Sequence, residues 1–376
     1  MQENPMKLEK NIVSSDEHIY QAWPDLAMSE TGRLLCVFTE CAHHVDRDCS
    51  RIMLTSSTDR GHSWRAPVAL TPLARKSGSG YYNNARIMRL TPGRLGIVVD
   101  WIGSWQEQES AGHCVLFFSH DDGASWTGPI ETPACGIVPD KIAILPSGRW
   151  LLLCHTRSKT TGKLFERLWF SDDAGSTWQG PVTVGEDARF NLCEASVLQL
   201  GPSLVAFMRE NSGKGYDCYK TISQDGGESW TAPIAFPLPG CHRPVSGLLH
   251  DGRVFITYRF VPGGKSNISF HNFFCAVSDC ESALALSREG ASARIIPLDY
   301  DNSPISDTGY SGWVQFDDDS LYIVNYRVGS ATHAYIQGYR LTMDVPFVTA
   351  ESQKWNPSRG LVSPSTGSRE QLPAAL

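Results

Sequence analysis

Short apolar runs, each preceded by a turn, recur along the chain. Six of them are nearly continuous in apolar residues, which is typical of strands buried on both faces. The turns contain Gly, Pro, Asp or Ser, and such turns between apolar runs indicate β-hairpins. The runs cover residues 34–38, 95–99, 150–154, 204–208, 254–258 and 321–325, and the turns lie at 30–33, 91–94, 146–149, 201–203, 250–253 and 317–320. This pattern predicts six similar units of short strands and no long amphipathic helix.

A motif with the spacing S-x-D-x-G-x-x-W supports the repeat. It occurs at 57–64, 119–126, 171–178 and 223–230, and recurrence at a near-constant interval indicates a repeat architecture. Its Ser and Asp can accept hydrogen bonds from nearby backbone N–H groups, and its Gly tolerates a positive φ. We interpret the motif as the turn of an outer hairpin without catalytic chemistry. We expect its tryptophans to be largely buried anchors beneath the turn. They are Trp64, Trp126, Trp178 and Trp230.

Six units of about four short strands predict an all-β protein, a six-bladed β-propeller that occupies residues 1–350 as a single domain. The fifth unit lacks a clear motif, because the segment from Ser278 to Leu284 has Ser and Asp without the Gly and Trp. Since a ring must close, we expect the segment from Lys10 to Tyr20 to supply the outer strand of the last blade. Residues 351–376, rich in Ser, Pro and Gly, are expected to form a C-terminal tail.

Composition narrows the class of partner. The net charge is −7 and no basic run occurs, so nucleic acid is not expected as a partner. Residues 1–11 lack the apolar core of a secretory signal, and no apolar stretch is long enough to predict a membrane span. The eleven cysteines show neither C-x-x-C pairs nor zinc spacing, which predicts reduced thiols in a cytoplasmic protein without a metal site. No nucleotide-binding glycine motif occurs, so no cofactor is expected. The sequence does not decide whether the protein forms a homo-oligomer.

Polar residues collect near the starts of the first strands of the units. Alignment of the units by their turns brings the following residues into register: Ala22 to Asp25, Asn84 to Arg86, Asp140 and Lys141, Cys193 and Glu194, His242 and Arg243, and Tyr310. Charges at the ends of otherwise apolar strands are costly unless they line a solvent-filled funnel or pair with one another. The pattern therefore indicates either a binding site at the centre of the propeller or a channel of satisfied ion pairs.

At this point the chain resembles the sialidase family, whose six-bladed propellers carry the same repeated motif, called the Asp-box or BNR repeat. The resemblance covers nearly the whole chain in architecture. The motif is specific for the fold and weak for activity, because it also occurs in non-enzymatic proteins. Function therefore depends on the residues at the propeller centre.

The resemblance implies three catalytic residues. Glu194, followed by Arg209 at the family's spacing, corresponds to the glutamate that deprotonates a nucleophilic tyrosine, and Tyr310 corresponds to that tyrosine. Asp48, on a loop ahead of the first Asp-box, corresponds to the acid/base, with Asp46 in the same loop as the alternative. A tyrosine nucleophile suits a substrate with a carboxylate at the anomeric carbon, because it is neutral and does not repel that charge.

Three arginines grip the substrate carboxylate in the family, and this chain departs from that pattern. Arg209 resembles one of them, but Ala22-Trp23-Pro24 stands where sialidases have Arg-Ile-Pro, and the third has no clear counterpart. Bidentate pairing of arginine with carboxylate is geometrically exacting, so other residues must complete the site. The predicted substrate-binding residues are Arg209, Arg243, Arg259, Arg86, Trp23, Asp25, His44 and His242.

Together these residues predict an exo-acting glycoside hydrolase whose partner is a small acidic sugar or oligosaccharide, such as a glycoside of sialic acid or of a related keto-deoxy acid. One alternative is an oligosaccharide lyase, in which Tyr310 and a histidine act as base and acid while Arg243 neutralises a uronate. The other is a carbohydrate-binding propeller that performs no chemistry.

Overall fold

The six apolar runs of the sequence each form the second strand of a four-stranded antiparallel sheet. The computed structural model describes residues 6–78, 80–103, 112–263 and 270–343. The tail expected at 351–376 lies outside the described residues. Each sheet contacts the next around the ring, so the six sheets form the blades of a β-propeller, as predicted.

The strands follow the chain blade by blade, from the centre of the ring outward. Strand β1 (Lys7–Ser14) opens the described chain and belongs to the sixth blade. The first three blades are β2 (Tyr20–Met28), β3 (Leu34–Cys41), β4 (Arg51–Ser57) and β5 (Val68–Ala69); β6 (Tyr81–Thr91), β7 (Arg94–Ile102), β8 (Gly112–Ser119) and β9 (Thr127–Cys135); and β10 (Ala143–Ile144), β11 (Trp150–Arg157), β12 (Leu164–Ser171) and β13 (Gln179–Val184).

The remaining blades repeat the arrangement. They are β14 (Leu192–Leu200), β15 (Ser203–Glu210), β16 (Asp217–Ser223) and β17 (Ile234–Pro239); β18 (Cys241–Leu248), β19 (Val254–Phe260), β20 (Asn272–Ser278) and β21 (Arg294–Tyr300); and β22 (Thr308–Gln315), β23 (Leu321–Arg327) and β24 (Tyr335–Thr342) with β1.

The ring is closed by pairing between the first and last strands. Strand β1 runs antiparallel to β24, with Leu8 opposite Leu341 and Lys10 opposite Tyr339. The strand that completes the sixth blade is thus Lys7–Ser14, whereas Tyr20 already begins the inner strand of the first blade.

Six apolar clusters hold the blades together, one at each contact between neighbours. Leu35 and Val37 of the first blade, for example, pack with Ile87 and Ile97 of the second, and all four are at most 1% exposed. The other five clusters join the second blade to the third, and so on around to the sixth and first. Truncating such a buried aliphatic residue to alanine costs about 2–5 kcal/mol. The core of this protein is therefore a ring of interfaces.

Each Asp-box is the turn between the third and fourth strands of its blade, as predicted. In the first box, Ser57 Oγ accepts from the backbone N–H of Gly61 at 2.9 Å and donates to Asp59 Oδ1 at 2.7 Å. Asp59 also accepts from the N–H of Ser63 at 2.9 Å. The equivalent bonds recur in the other three boxes. A central glycine at positive φ, 86° for Gly61, permits the turn.

The tryptophans of the boxes differ from the expectation. Trp64, Trp126, Trp178 and Trp230 are half-buried rather than largely buried. Each packs at the edge of the apolar cluster that its blade shares with the preceding blade of the ring. Trp64, for example, donates to the Tyr322 hydroxyl of the sixth blade at 3.1 Å.

The fifth blade replaces the Asp-box with helix α1 (Cys280–Leu284), between β20 and β21. The side chain of Asp279 caps it by accepting from the N–H of Ser282 at 2.6 Å. At its other end, Lys220 Nζ donates to the carbonyls of Ser282 and Ala283 at 2.8 and 2.7 Å. Nowhere in the described ranges is a helix both long and apolar enough to span a membrane.

Candidate active site

Each blade has one residue at positive φ, either near the start of its inner strand or, for Val138, a few residues before it. In five blades that residue lies within a β-bulge of the innermost pair of strands, and bulges are known to re-aim side chains. The six residues, with their φ values, are Trp23 (53°), Asn84 (42°), Val138 (53°), Glu194 (54°), Arg243 (49°) and Gly309 (107°). Such conformations are costly for residues other than glycine and persist only where the surroundings hold them.

Buried polar side chains hold the backbone at these positions. Asp100 Oδ2 accepts from the N–H of Val138 at 3.0 Å, and Glu166 Oε1 accepts from the N–H of Ala195, next to Glu194, at 2.8 Å. Burial raises the pKa of Asp100 to about 7 and that of Glu166 to about 8. These carboxyl groups therefore fix the backbone around the central cavity from behind.

The bulges open onto a cavity of about 590 Å³ at the centre of the ring, a volume that suits a small ligand. Five of the six blades supply its polar lining, which is rich in arginine, histidine and amides. The polar and aromatic lining residues are Trp23, His44, Arg47, Asn83, Asn84, Glu194, Arg209, Asn211, Ser212, His242, Arg259, His271 and Tyr310.

Glu194, Tyr310 and Arg209 meet in this cavity. The Tyr310 hydroxyl donates to Glu194 Oε1. Arg209 Nη1 donates to the same oxygen at 2.8 Å and to the Tyr310 hydroxyl at 3.3 Å, while its Nη2 donates to Asn211 at 2.6 Å. The predicted glutamate, tyrosine and arginine therefore form one hydrogen-bonded unit.

The charges around this unit keep Glu194 ionised and Tyr310 neutral. Burial alone would raise the pKa of the Glu194 carboxyl, but the positive charges of Arg209 and Arg243 and the bond from Tyr310 outweigh it and lower that pKa. Burial and the negative charge of Glu194 raise the pKa of the Tyr310 hydroxyl. The arrangement is that of a neutral phenol whose hydroxyl donates to an ionised carboxylate.

A second hub, centred on Asp307, was not predicted as a site. Asp307 is 7% exposed. Its Oδ1 accepts from Arg259 at 3.1 Å and from the Tyr326 hydroxyl at 2.6 Å, and its Oδ2 pairs with His44 Nδ1. His271 Nδ1 lies 3.5 Å from Oδ1. Burial acts to raise the pKa of Asp307, but these partners lower it well below its ordinary value.

The predicted residues Trp23, His44, His242 and Arg259 line the cavity, together with Glu194, Tyr310 and Arg209. Arg259 Nη2 donates to Asp307 Oδ1 at 3.1 Å. Burial and the charges of Arg209 and Arg259 lower the pKa of His242 well below its ordinary value, so this imidazole is neutral.

Arg47 is a lining residue that sequence reasoning missed. Its guanidinium carbon lies 3.9 Å from the ring centroid of Trp23, a cation–π contact. Its Nη1 donates to the carbonyl of His43 at 3.2 Å. Arg47 adds a cation to the blade in which Ala22 replaces the arginine of the sialidase pattern.

The structure does not bring Asp48 to the cavity. Asp48 Oδ1 accepts from the backbone N–H of Lys76 at 2.9 Å, and the rival carboxylate of Asp46 pairs with Lys76 Nζ at 2.8 Å. Neither residue is among those that line the cavity. The loop turns both carboxylates toward the chain near Lys76.

Asp25 and Arg86, expected to bind substrate, lie instead within the ring. Asp25 is 0% exposed; its Oδ2 accepts from the N–H of Ile87 at 2.8 Å, and Oδ1 lies 3.1 Å from Lys141 Nζ and 3.5 Å from Arg86 Nη2. Arg86 Nη1 donates to the carbonyl of Ser311 at 3.0 Å. These contacts link the inner strands of different blades. Asp25 and Arg86 therefore belong to a buried network of ion pairs, the alternative to a binding site that the sequence left open.

Arg243 also lies outside the cavity lining. It is 2% exposed and donates to the carbonyl of Pro139 at 2.8 Å. Its guanidinium carbon lies 5.9 Å from the ring centroid of Tyr310. Arg243 therefore influences the site through its positive charge, which helps to lower the pKa of Glu194.

Comparisons with known proteins agree with this fold. The family model described as a BNR repeat-like domain matches residues 81–268, half of the chain. A sialidase from Bacteroides fragilis is 24% identical over 200 residues, which are 48% of this chain and 34% of that protein. The matched part thus spans about a third of that relative's length.

Solved structures with low sequence identity share the architecture. A protein of unknown function from Dyadobacter fermentans is 20% identical, with 90% of this chain and 99% of that chain covered and a TM-score of 0.73. A Trypanosoma rangeli sialidase mutant that displays trans-sialidase activity is 15% identical, with coverage of 89% and 58% and a TM-score of 0.63. A Hadza microbial sialidase is 18% identical, with coverage of 88% and 68% and a TM-score of 0.65.

These structural likenesses concern the fold alone, whereas the family model concerns the sequence itself. Its match to half of the chain covers the second, third and fourth blades, the first two strands of the fifth blade, and three of the four Asp-boxes. The chain belongs to the BNR repeat-like domain family and is a six-bladed propeller of the sialidase superfamily.

Proposed function

We propose that the protein is a retaining exo-glycosidase that removes a terminal acidic sugar, with Tyr310 as nucleophile and Glu194 as its base. The observation that carries this proposal is the hydrogen bond from the Tyr310 hydroxyl to Glu194 Oε1, with Arg209 bound to both groups. Tyr326 also donates to a carboxylate, that of Asp307, but only Tyr310 of these two tyrosines lines the central, ligand-sized cavity, and perturbed titratable pairs in such a cavity mark functional sites.

The proposed reaction has two steps at the anomeric carbon. Tyr310 Oη attacks that carbon, its proton passes to Glu194, and the bond to the leaving oxygen breaks with its electron pair on that oxygen, which takes up a proton. In the second step, water attacks the same carbon and gives up a proton. The bond to Tyr310 breaks, and the tyrosine oxygen regains its proton from Glu194. The two displacements take place at opposite faces of that carbon and each inverts it, so together they return the original anomeric configuration.

The charges of the cavity support an anionic substrate. Arg47, Arg209 and Arg259 all line it, and guanidinium groups are the preferred partners of carboxylates. The neutral phenol of Tyr310 approaches a carboxylate-bearing anomeric carbon without charge repulsion. Trypanosoma rangeli sialidase, which shares this fold, has been solved with sialic acid. A terminal sialic acid or related keto-deoxy acid is therefore the substrate class that we infer.

The burial of Arg243 argues against the lyase alternative. That reaction needs a cation on the substrate uronate, and Arg243, the residue predicted for this role, is 2% exposed and does not line the cavity. No comparable observation favours a propeller that only binds sugar.

The test is incubation with a panel of fluorogenic acidic-sugar glycosides, followed by mass measurement of the products. We expect products that have gained one water and keep the anomeric configuration. An unsaturated product would support the lyase, and wild-type protein that binds the sugars without turnover would support a binding propeller. Tyr310→Phe should be inactive, whereas Tyr300→Phe, at a tyrosine that is 58% exposed, is the matched control.

A further inference from the structure

His44 lies on the boundary between the central cavity and a second cavity of about 540 Å³. Among the residues that the structure describes, only His44 and His271 line both cavities. The second cavity is largely apolar, with Val45, Ile305 and Val328 in its wall. Val45 and Ile305 are 86% and 82% exposed. A ligand held in both cavities would pass directly beside the His44 imidazole.

The orientation of the His44 ring is fixed. Its Nδ1 pairs with Asp307 Oδ2, and Asp307 is itself held by Arg259 and Tyr326. The ring of Trp23 packs against the imidazole edge-to-face, with centroids 5.3 Å apart and an interplanar angle of 75°. Because Nδ1 is committed to the carboxylate, Nε2 at the far side of the ring remains to exchange a proton with a ligand.

The proposed reaction needs a proton donor for the leaving oxygen, and His44 lines the same cavity as Tyr310 and Glu194. The leaving oxygen must lie at the exit from the sugar cavity, between the anomeric carbon and the rest of the substrate. Asp48, predicted for this role, binds the backbone N–H of Lys76 and lines neither cavity. His44 belongs to the same loop and lines both.

We propose, resting on the proposed function, that His44 is the general acid and base of the reaction at Tyr310, and that the apolar cavity receives the leaving group. In the first step, the leaving oxygen takes the proton of His44 Nε2 as its bond to the anomeric carbon breaks. In the second, the attacking water gives a proton to Nε2, which restores the histidine. Asp307 is the positioning residue that keeps Nε2 directed at the leaving oxygen.

The charge balance at His44 is compatible with both roles. Burial lowers the pKa of the imidazole, Asp307 acts to raise it, and Arg259 and Arg47 act to lower it again. Without ligand the ring is therefore readily deprotonated, as a base must be. An anionic sugar in the cavity adds a negative charge, which favours the imidazolium form that the acid step needs.

Substrates with different leaving groups test the role of His44. A phenolic leaving group of low pKa departs without protonation, whereas an alcohol does not, and general acid catalysis contributes about 10²–10⁴-fold. For His44→Gln and His44→Ala, we expect kcat/KM on an alkyl glycoside to fall at least 100-fold and on a 4-nitrophenyl glycoside to fall less than about 10-fold. Sodium azide should restore turnover of the 4-nitrophenyl glycoside by His44→Ala and yield a glycosyl azide.

His120→Gln, at an exposed histidine in the second Asp-box, is the control for the substitution itself. Because His44 is a loop residue with a side chain 33% exposed, its variants should fold, and their melting temperatures check this. Equal losses on both substrates, or a selective loss on the alkyl glycoside in Asp48→Asn and not in His44→Gln, would overturn the inference alone. A folded wild type that turns over neither substrate would overturn the proposed function and the inference with it.

A separate measurement tests whether the apolar cavity receives the leaving group. Ile305→Asp should raise the KM of an octyl glycoside at least fivefold relative to the methyl glycoside of the same sugar, with kcat little changed, because only the octyl chain reaches the cavity. An unchanged ratio of the two KM values would remove the leaving group from this cavity.

Discussion

The hydroxyl of Tyr310 and the carboxylate of Glu194 are hydrogen-bonded although 116 residues separate them in the chain. They lie on the inner strands of the sixth and fourth blades, and Arg209 binds both. Since one proton is shared between the two groups, they should act as a unit. We therefore expect their substitutions to be strongly non-additive.

Tyr310→Phe and Glu194→Gln should each lower kcat on an acidic-sugar glycoside by at least about 10³-fold with little change in substrate binding, and the double variant should lose little more. Steady-state kinetics and calorimetric titration with the free sugar measure the two effects. If the losses multiply in the double variant, the two residues act independently and the proposed pair is wrong.

Arg209→Lys keeps a positive charge but loses the fork that reaches Glu194, Tyr310 and Asn211 at once. We expect kcat/KM to fall by about 10–100-fold, since each lost charge-assisted hydrogen bond costs roughly 1.5–3 kcal/mol. The control is Arg65→Lys at an exposed arginine. Equal kinetics in the two variants would show that Arg209 is outside the site.

The pH profile of kcat/KM should be a bell with its maximum on the acidic side of neutrality. Glu194 must be ionised, and its pKa is lowered, so activity falls only in strong acid. As the general acid, His44 must be protonated. Its pKa lies below the ordinary 6.5, so activity falls as the pH rises through that lowered pKa. The groups that face His44 are Asp307, Arg259, Arg47 and His271.

The alkaline limb should disappear in His44→Gln. His271, whose pKa burial lowers to about 4, and His242, whose pKa is lower than its ordinary value for the same reason, should not supply such a limb near neutrality. Persistence of the limb in His44→Gln would assign it to another group.

Glu166 should make the fold less stable as the pH rises. Burial raises its pKa from 4.5 to about 8, so between these values the unfolded chain binds fewer protons than the folded one. The contribution of Glu166 to the unfolding free energy is therefore fully present below its unfolded-state pKa. It is lost as the pH rises toward its folded-state pKa, at up to about 1.4 kcal/mol per pH unit.

Glu166→Gln should remove this loss, because an amide oxygen can still accept from the N–H of Ala195. We expect the difference in unfolding free energy between variant and wild type to shift in favour of the variant from pH 5 to pH 8, as measured by urea denaturation. The control is Glu186→Gln at an exposed glutamate. A difference that is constant across this pH range would contradict the prediction.

Local signals in the sequence were enough to predict the blades and part of the site. The Asp-box bonds join residues within seven positions of one another, and the apolar runs report burial directly. Glu194 and Tyr310 were found because the motifs around them resemble those of a family with known chemistry. The half-burial of the box tryptophans was missed, since it depends on how far the neighbouring blade extends over them.

The Asp307 hub was beyond prediction for a physical reason. Asp307 and His44 are 263 positions apart, and they meet only because the ring closes between the sixth and first blades. Asp307 lies three residues before Tyr310, which in retrospect is its one sequence signal. The loop of Asp48 does contribute His44 and Arg47 to the cavity lining, but which of its side chains faces the cavity depends on the turn that the bridge from His43 to Asp46 makes.

At the positive-φ positions of the blades, the backbone is held by residues other than the one whose side chain projects there. Backbone N–H groups, held by buried carboxyl or amide groups such as Asp100, Glu166 and Asn325, fix the turn at three of the six positions. The residue that projects from a bulge is not what holds it, and the six blades carry Trp, Asn, Val, Glu, Arg and Gly there. Three of these residues, Trp23, Asn84 and Val138, line the cavity and lie outside the proposed catalytic pair. A designer who wants a new sugar specificity can therefore begin by exchanging these three side chains.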